Sequence, residues 1–293
     1  CELFFNPFHE LYTAGLWDKI AAQDDGKSPI NLKLVIQGAF DEVPAAGYNR
    51  NFVYPEYGLN TLVQRMSLEC DVRYRKRVVN IDPKDKAIYF EDGEASSYMC
   101  ILSTLPLNRM MKLTGLDVDE EADPYVSVLV VNIGAVKGLR TPEVHWVYIP
   151  RSKTGFHRVG FYSNVDASFL PASSRKNKAR VSVYVEKSFP GGEKPSDLDI
   201  RNLCCKIVKE LQEWEWIQDI EVVDPTWIDV AYTWSWPGSK WAEKALRVLE
   251  AHDIYQIGRY ATWASGWKSQ GIADSIRKGL MAGAAIGILN NKG

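Results

Sequence analysis

Alternating and clustered apolar positions divide the chain into sheet-forming and helix-forming stretches. Residues 77–82 and 87–90 are apolar-rich runs joined by Pro83-Lys84-Asp85-Lys86, and both read as strands. Glu91-Asp92-Gly93 turns the chain again, into a third strand over 98–102, and a short extended piece is expected at 72–74. The pattern is a β-meander. A second set of strands follows. Val126, Val128, Val130 and Val131 make 125–132 strongly β-forming, and 145–150, 156–163 and 181–186 join it in an antiparallel sheet. Residues 221–227 and 228–234 read as two more strands. Apolar residues three and four apart place the helices. Leu59, Leu62, Val63 and Met66 mark one over 58–68, with a short one at 108–113. Ser196-Asp197-Leu198-Asp199 resembles a capping start, after which Leu203, Ile207 and Leu211 share one face of a helix running to Trp214. Residues 241–251 form another helix, and 16–22 make one helical turn or two. Near the end, a short buried strand at 255–257 stops at Gly258. Gly271 then opens a helix whose Ile272, Ile276, Leu280, Ala284 and Ile288 form one stripe. The fold class is α/β, of the α+β kind.

That last stretch is where chemistry first shows. A strand, a glycine, Arg259 and a fresh helix N-terminus form an anion-receiving arrangement, because unpaired N–H groups and the positive end of the helix dipole point the same way. The same residues also describe an ordinary terminal helix packed on a sheet. On the antiparallel sheet, Trp146 and Tyr148 are two apart and share a face. Arg158, on an adjacent strand, could meet that face. It would then either hold an anionic group bidentately or cover aromatic area by cation–π contact. Six of the ten tryptophans fall between Trp227 and Trp267, which suits a wall against a planar or sugar ligand and equally a well-filled core.

The totals narrow the field. The chain has 293 residues, 46% of them hydrophobic, enough for a large core and two subdomains. With 35 basic and 37 acidic residues and no basic stripe, nucleic acid is not the expected partner. No apolar run reaches the roughly 18 residues of a membrane span. The five cysteines, Cys1, Cys70, Cys100, Cys204 and Cys205, are odd in number and lack metal-ligand spacing, which points to a reducing, cytoplasmic compartment. His9, His145, His157 and His252 also lack metal spacing, and no Ser-His-Asp or Cys-His constellation can be assembled.

Two motifs carry a resemblance. Gly258-Arg259-Tyr260, followed by an aromatic loop and Asp274-Ser275-Ile276-x-x-Gly279, resembles the last motif of the FAD-dependent amine oxidase superfamily, which includes protoporphyrinogen oxidase-like proteins and UDP-galactopyranose mutases. Asn49-x-x-Phe52-x-Tyr54-Pro55-x-x-Gly58 resembles the segment of that group that precedes a helix. The resemblance implies the C-terminal part of a two-domain FAD-linked reductase fold, with an antiparallel substrate-domain sheet and a β-meander plus terminal helix from the FAD domain. It divides the chain into an entry segment (1–57), part of the FAD-binding domain (58–115), a substrate-binding domain (116–250) and a closing FAD motif and helix (251–293).

By position, the resemblance puts Val79 at the adenine, with Val78 as the alternative, and Thr104 and Pro106 near the cofactor. Gly258 and Arg259 fall at the pyrophosphate, and Gly271, Ile272 and Ala273 at the pyrimidine side of the flavin. Phe52, Tyr54, Trp146, Tyr148, Arg158 and Trp236 line the substrate pocket. The implied activity is hydride transfer between a small-molecule substrate and flavin. A sugar-nucleotide mutase using reduced flavin and a non-catalytic ligand-binding fragment are the alternatives. Two positions depart from the mutase pattern: Asn6 stands where mutases carry an arginine before the proline, and Trp236 where they present a tyrosine. No Gly-x-Gly-x-x-Gly fingerprint follows a strand, so the chain is expected to be the C-terminal part of a longer protein.

Overall fold

The computed structural model describes residues 55, 57–263 and 272–290. Two compact units are present, one ending at Val72 and the other resuming at Arg73. The described part of the first contains α1 (Leu59–Ser67), entered through Gly58 at φ 87°. The second runs, in chain order, through β1 (Val78–Asp82), β2 (Ala87–Phe90), β3 (Ala95–Ser97), β4 (Ile101–Ser103), α2 (Leu107–Thr114), β5 (Tyr125–Lys137), β6 (Trp146–Tyr148) and β7 (Arg158–Phe161). It continues with α3 (Tyr162–Val165), β8 (Arg180–Pro190), α4 (Asp197–Glu213), β9 (Ile217–Thr233), α5 (Trp241–Glu250), β10 (Ile254–Gln256) and α6 (Ile272–Asn290).

The meander forms as β1-β2-β3, antiparallel throughout. Its first turn is fixed by Asp82, whose carboxylate accepts from the backbone N–H of Lys84 and Asp85, each at 2.9 Å. Two expectations fail here. Residues 72–74 are not a strand, and at Arg75 the backbone turns through φ 60°. The third meander strand is 95–97, not 98–102. Residues Ile101–Ser103 leave the meander to pair in parallel with β10, beginning at the 2.9 Å bond from Ile101 N–H to Asp253 O. That partner lies some 150 residues downstream, where no local pattern can point to it.

The larger sheet has the order β6-β7-β8-β5-β9, every pair antiparallel. Alternation along each strand splits it into two faces. One face carries Leu129, Val131, Ile133 and Ala135 of β5, Val159 and Phe161 of β7, and Val181, Val183 and Val185 of β8. It closes against Ile200, Cys204, Ile207 and Leu211 of α4. Each such side chain contributes about 1.5–3 kcal/mol relative to leaving it in water. Ser196 caps α4 as its sequence suggests, accepting from Asp199 N–H at 3.1 Å. Cys204 is buried and Cys205 exposed, so the adjacent pair does face two ways.

The stretches expected as two strands, 221–227 and 228–234, are one 17-residue strand, β9. It is the sheet's edge, with Pro225 opposite Val131 and register shifts along its length. A proline is tolerated there because the outer side of an edge strand needs no ladder donor. A second core gathers Met110 of α2, Trp241 and Leu249 of α5, Ile254 of β10, Ile81 of β1 and Trp263. Among the described residues no helix is long and apolar enough to cross a membrane, and no group of three His, Cys, Asp or Glu side chains could hold a metal ion.

Candidate functional site

The sheet face turned away from α4 carries the polar residues of the same strands. Tyr148, Arg158 and Glu186 are successive cross-strand partners on β6, β7 and β8, and Trp146 stands opposite Gly160, itself opposite Tyr184. Arg158 Nη2 meets Glu186 Oε1 at 2.5 Å and Tyr232 Oη at 3.4 Å. Its guanidinium carbon lies 5.9 Å from the Tyr148 ring centroid and 6.0 Å from that of Tyr184. The Arg158 Nε is buried and makes no hydrogen bond. On the far side of Glu186, His157 Nε2 faces Oε2 at 3.5 Å while its Nδ1 lies 3.1 Å from Ser188 Oγ. Arg158 therefore sits among aromatic rings, and a carboxylate of the chain takes one edge of its fork.

Local sequence explains the packing. A Cβ at Gly160 would fall 2.0 Å from the Tyr184 ring, so only glycine lets that ring lie over the strand. Tyr184 then contacts Tyr162 at 4.5 Å between centroids, and Tyr162 stacks on Phe169 at 5.1 Å. Burial pushes the Glu186 carboxyl up, but His157 and Arg158 outweigh it and hold the group below the ordinary range. Burial also dominates at Tyr232, whose phenol is pushed up to about 12. The charges of Glu186, Tyr148 and Tyr260 add to that rise. Tyr232 is thus a neutral donor at physiological pH.

Tyr260 belongs to the closing motif, directly after Gly258 and Arg259. β4 and β10 are parallel, and at their carboxyl ends two loops meet. Ile257 N–H donates to Ser103 O at 2.8 Å, and Leu107 N–H donates to Tyr260 O at 3.1 Å. Crevices outside the carboxyl ends of parallel strands are where this kind of sheet takes ligands. Gly258 has φ 98°, and apart from its chain neighbours no atom of the described residues lies within 4 Å of the position a Cβ would take. Next to it, Arg259 buries its Nε without a hydrogen bond. Thr104 is exposed and Pro106 caps α2, both on the loop facing Gly258. On β1, Val78 and Asn80 pair with Phe90 and Tyr89, leaving Val79 as the extra residue of a bulge, 48% exposed.

The structure thus brings together Trp146, Tyr148 and Arg158 on one face, and Thr104, Pro106, Gly258 and Arg259 at one sheet end. Trp236 is part-exposed and donates its N–H to Asp123 at 3.1 Å, and no hydrogen bond or ring contact ties it to Arg158. Phe52, Tyr54 and Gly271 lie outside the described residues, as do residues 16–22 and Asn6. Ile272 and Ala273 are the first residues of α6. The tryptophan concentration is mostly core: Trp234, Trp241 and Trp263 are buried. Trp263 donates its ring N–H to Trp234 O at 3.2 Å and packs edge-on against Trp241 and Tyr125.

Glu186, Tyr184 and Tyr232 escaped the sequence reading. A signal was present for the first two. Val181, Val183 and Val185 alternate with Ser182, Tyr184 and Glu186, which assigns the carboxylate to the face opposite the core.

No protein-family model matches the sequence, and no curated protein matches it. Solved structures do share the fold. A reduced UDP-galactopyranose mutase superposes with a TM-score of 0.68 at 21% identity, over 89% of this chain and 56% of that one. A protein from Exiguobacterium sp. 255-15 described as a protoporphyrinogen oxidase superposes at 0.56 with 13% identity, over 87% and 57%. The chain spans little more than half the length of either. The fold expected from the sequence, the C-terminal part of an FAD-linked oxidoreductase fold, is the one present.

Proposed function

We propose that this chain supplies the substrate-binding sheet and the closing cofactor motif of an FAD-dependent oxidoreductase of the amine oxidase or protoporphyrinogen oxidase-like type. One observation carries the reading. The Gly258-Arg259 turn, open at the Cβ position and holding a buried unbonded guanidinium N–H, sits at the carboxyl ends of parallel β4 and β10. The residues present fit part of a dinucleotide site. Val79 would bond the adenine through the backbone its bulge leaves unpaired. Arg259 and the start of α6 at Ile272 and Ala273 would face negative charge, as would Gly271 by its place in the sequence motif, and Thr104 and Pro106 would line the crevice.

When bound, FAD supplies a ring that takes up or gives up a hydride. This chain's residues bind and orient the substrate. Trp146 and Tyr148, with Trp236, offer aromatic surface. Arg158, fixed by Glu186, keeps N–H groups for an anionic or hydroxyl-rich small molecule, and Tyr232 offers a phenol proton it does not lose. In this reading, residues 58–115 and 251–293 serve the cofactor and 116–250 the substrate, in a reducing, cytoplasmic setting. The higher TM-score to a UDP-galactopyranose mutase favours a second reading, a sugar-nucleotide mutase that uses reduced flavin without net oxidation.

The first test is the visible absorption spectrum after FAD is added and the excess removed. It is run on this chain and on a polypeptide extended upstream. Flavin bands that weaken in Arg259→Ala support the cofactor site. Bands in neither polypeptide overturn it and leave a non-catalytic ligand-binding protein. With flavin bound, isomerisation of a sugar nucleotide without reduction of an acceptor selects the mutase reading.

A further inference from the structure

The basic loop after the Phe169 turn has no part in the site above, yet it closes a hollow of about 220 Å³ at the opposite end of the large sheet. Four cations from three segments line it: Lys137 at the end of β5, Arg180 at the start of β8, and Arg175 and Lys178 from the loop between. Arg180 is six residues along β8 from Glu186, roughly 20 Å at about 3.3 Å per residue. Arg180 pairs with Glu221 at 2.6 Å, and Ser168, with help from the nearby Arg175, holds the Asp166 carboxyl below its ordinary range. The neighbouring Asp166 accepts from Ser168 N–H at 2.7 Å. Among the described residues Lys137, Arg175 and Lys178 make no ion pair, although the whole chain has a net charge of −2.

The polar groups around the hollow share one property. The Asn177 carbonyl oxygen is taken by Ala179 N–H at 3.0 Å, leaving its NH₂. Ser163 Oγ accepts from Ser182 N–H at 3.1 Å, leaving its hydroxyl proton. Arg175 uses its Nε on Leu170 O at 3.2 Å, leaving the two terminal nitrogens. What remains is rich in donors, most of them charged, and such a lining is complementary to oxygens that only accept. A concave site of this size favours a compact solute over a flat surface. We propose that this hollow binds a small molecule carrying two or more oxyanion groups, of phosphate or carboxylate type.

The test is calorimetric titration of the chain with inorganic pyrophosphate and, separately, with tricarballylate, at low and at raised ionic strength. Saturable binding of pyrophosphate is expected, weakened at least about tenfold in Lys137→Ala/Lys178→Ala. It should be unchanged in Lys206→Ala/Lys209→Ala, which removes two exposed charges from α4 instead. Binding of pyrophosphate alone assigns phosphate, and binding of both assigns any compact polyanion. Equal weakening in the two double variants would reduce the effect to overall charge and overturn the site. So would absence of saturable binding to either solute, or binding confined to phosphatidylserine vesicles.

Discussion

Glu186→Gln removes one charge from the Arg158 face and almost nothing else. The Glu186 side chain is 11% exposed and that of Arg158 23%, so loss of the carboxylate leaves a guanidinium buried without a counter-charge. Breaking one side of such a pair costs about 3–5 kcal/mol. The amide keeps the shape and one acceptor, which places the expected loss near the lower end. Replacing both partners by apolar residues, as in Arg158→Met/Glu186→Leu, should cost much less than the two single changes added together. The coupling in that cycle should be at least about 2 kcal/mol. Urea unfolding followed by tryptophan fluorescence supplies the four free energies. Acidity gives an independent check. The folded carboxyl lies below its ordinary value of 4.5, so its stabilisation is complete above that pH and fades as pH falls through the folded value. Glu186→Gln should flatten that acid-side slope. A loss under about 1 kcal/mol, or additive single changes, would mean the pair is hydrated and the reading of this face is wrong.

Other parts of the molecule give further tests. Gly160→Ala puts a Cβ against the Tyr184 ring, so it should displace that ring, cost about 1–3 kcal/mol and change the near-ultraviolet circular dichroism. Glu210, 3% exposed on α4, accepts from Ser152 Oγ at 3.0 Å, Lys153 N–H at 2.7 Å and both the N–H and hydroxyl of Thr154. Glu210→Ala should therefore free the β6–β7 loop, read as faster proteolysis within 150–155. Tyr232, with its phenol near 12, should be silent in an ultraviolet titration run to pH 10, so Tyr232→Phe should leave that part of the curve unchanged. Gly258→Ala meets no atom of the described residues at the new Cβ, so its cost, about 1–2 kcal/mol, should come from backbone strain alone and show as a lower melting temperature.

Features set by local chemistry were legible from the residues alone. The Asp82 turn, the Ser196 cap, the apolar stripe of α4 and the glycine ending β10 each depend on side chains within a few positions of one another. Pairing between distant segments was not legible. Ile101 leaves the meander because its partner strand begins at Ile254, and β9 runs on through Pro225 because an edge strand tolerates what an interior strand would not. The candidate site divides the same way. Trp146 and Tyr148 were found because a two-residue spacing assigns them to one face, and Arg158 because the family resemblance marks the strand beside them. Glu186 and Tyr232 come from strands whose order in the sheet no spacing encodes.

An outer strand 17 residues long is a hazard in solution, since its unsatisfied rim of N–H and C=O groups can template another molecule's strand. β9 has its deterrents built in. Pro225 interrupts the row of donors, the register shifts bend the rim, and the exposed Asp219 and Asp224 bring like charges against any approaching copy. The opposite rim, β6, is only three residues long. Solubility is therefore guarded at a handful of positions remote from any chemistry. Exchanging Pro225 and Asp224 for β-branched residues would leave the fold intact while inviting fibrous association.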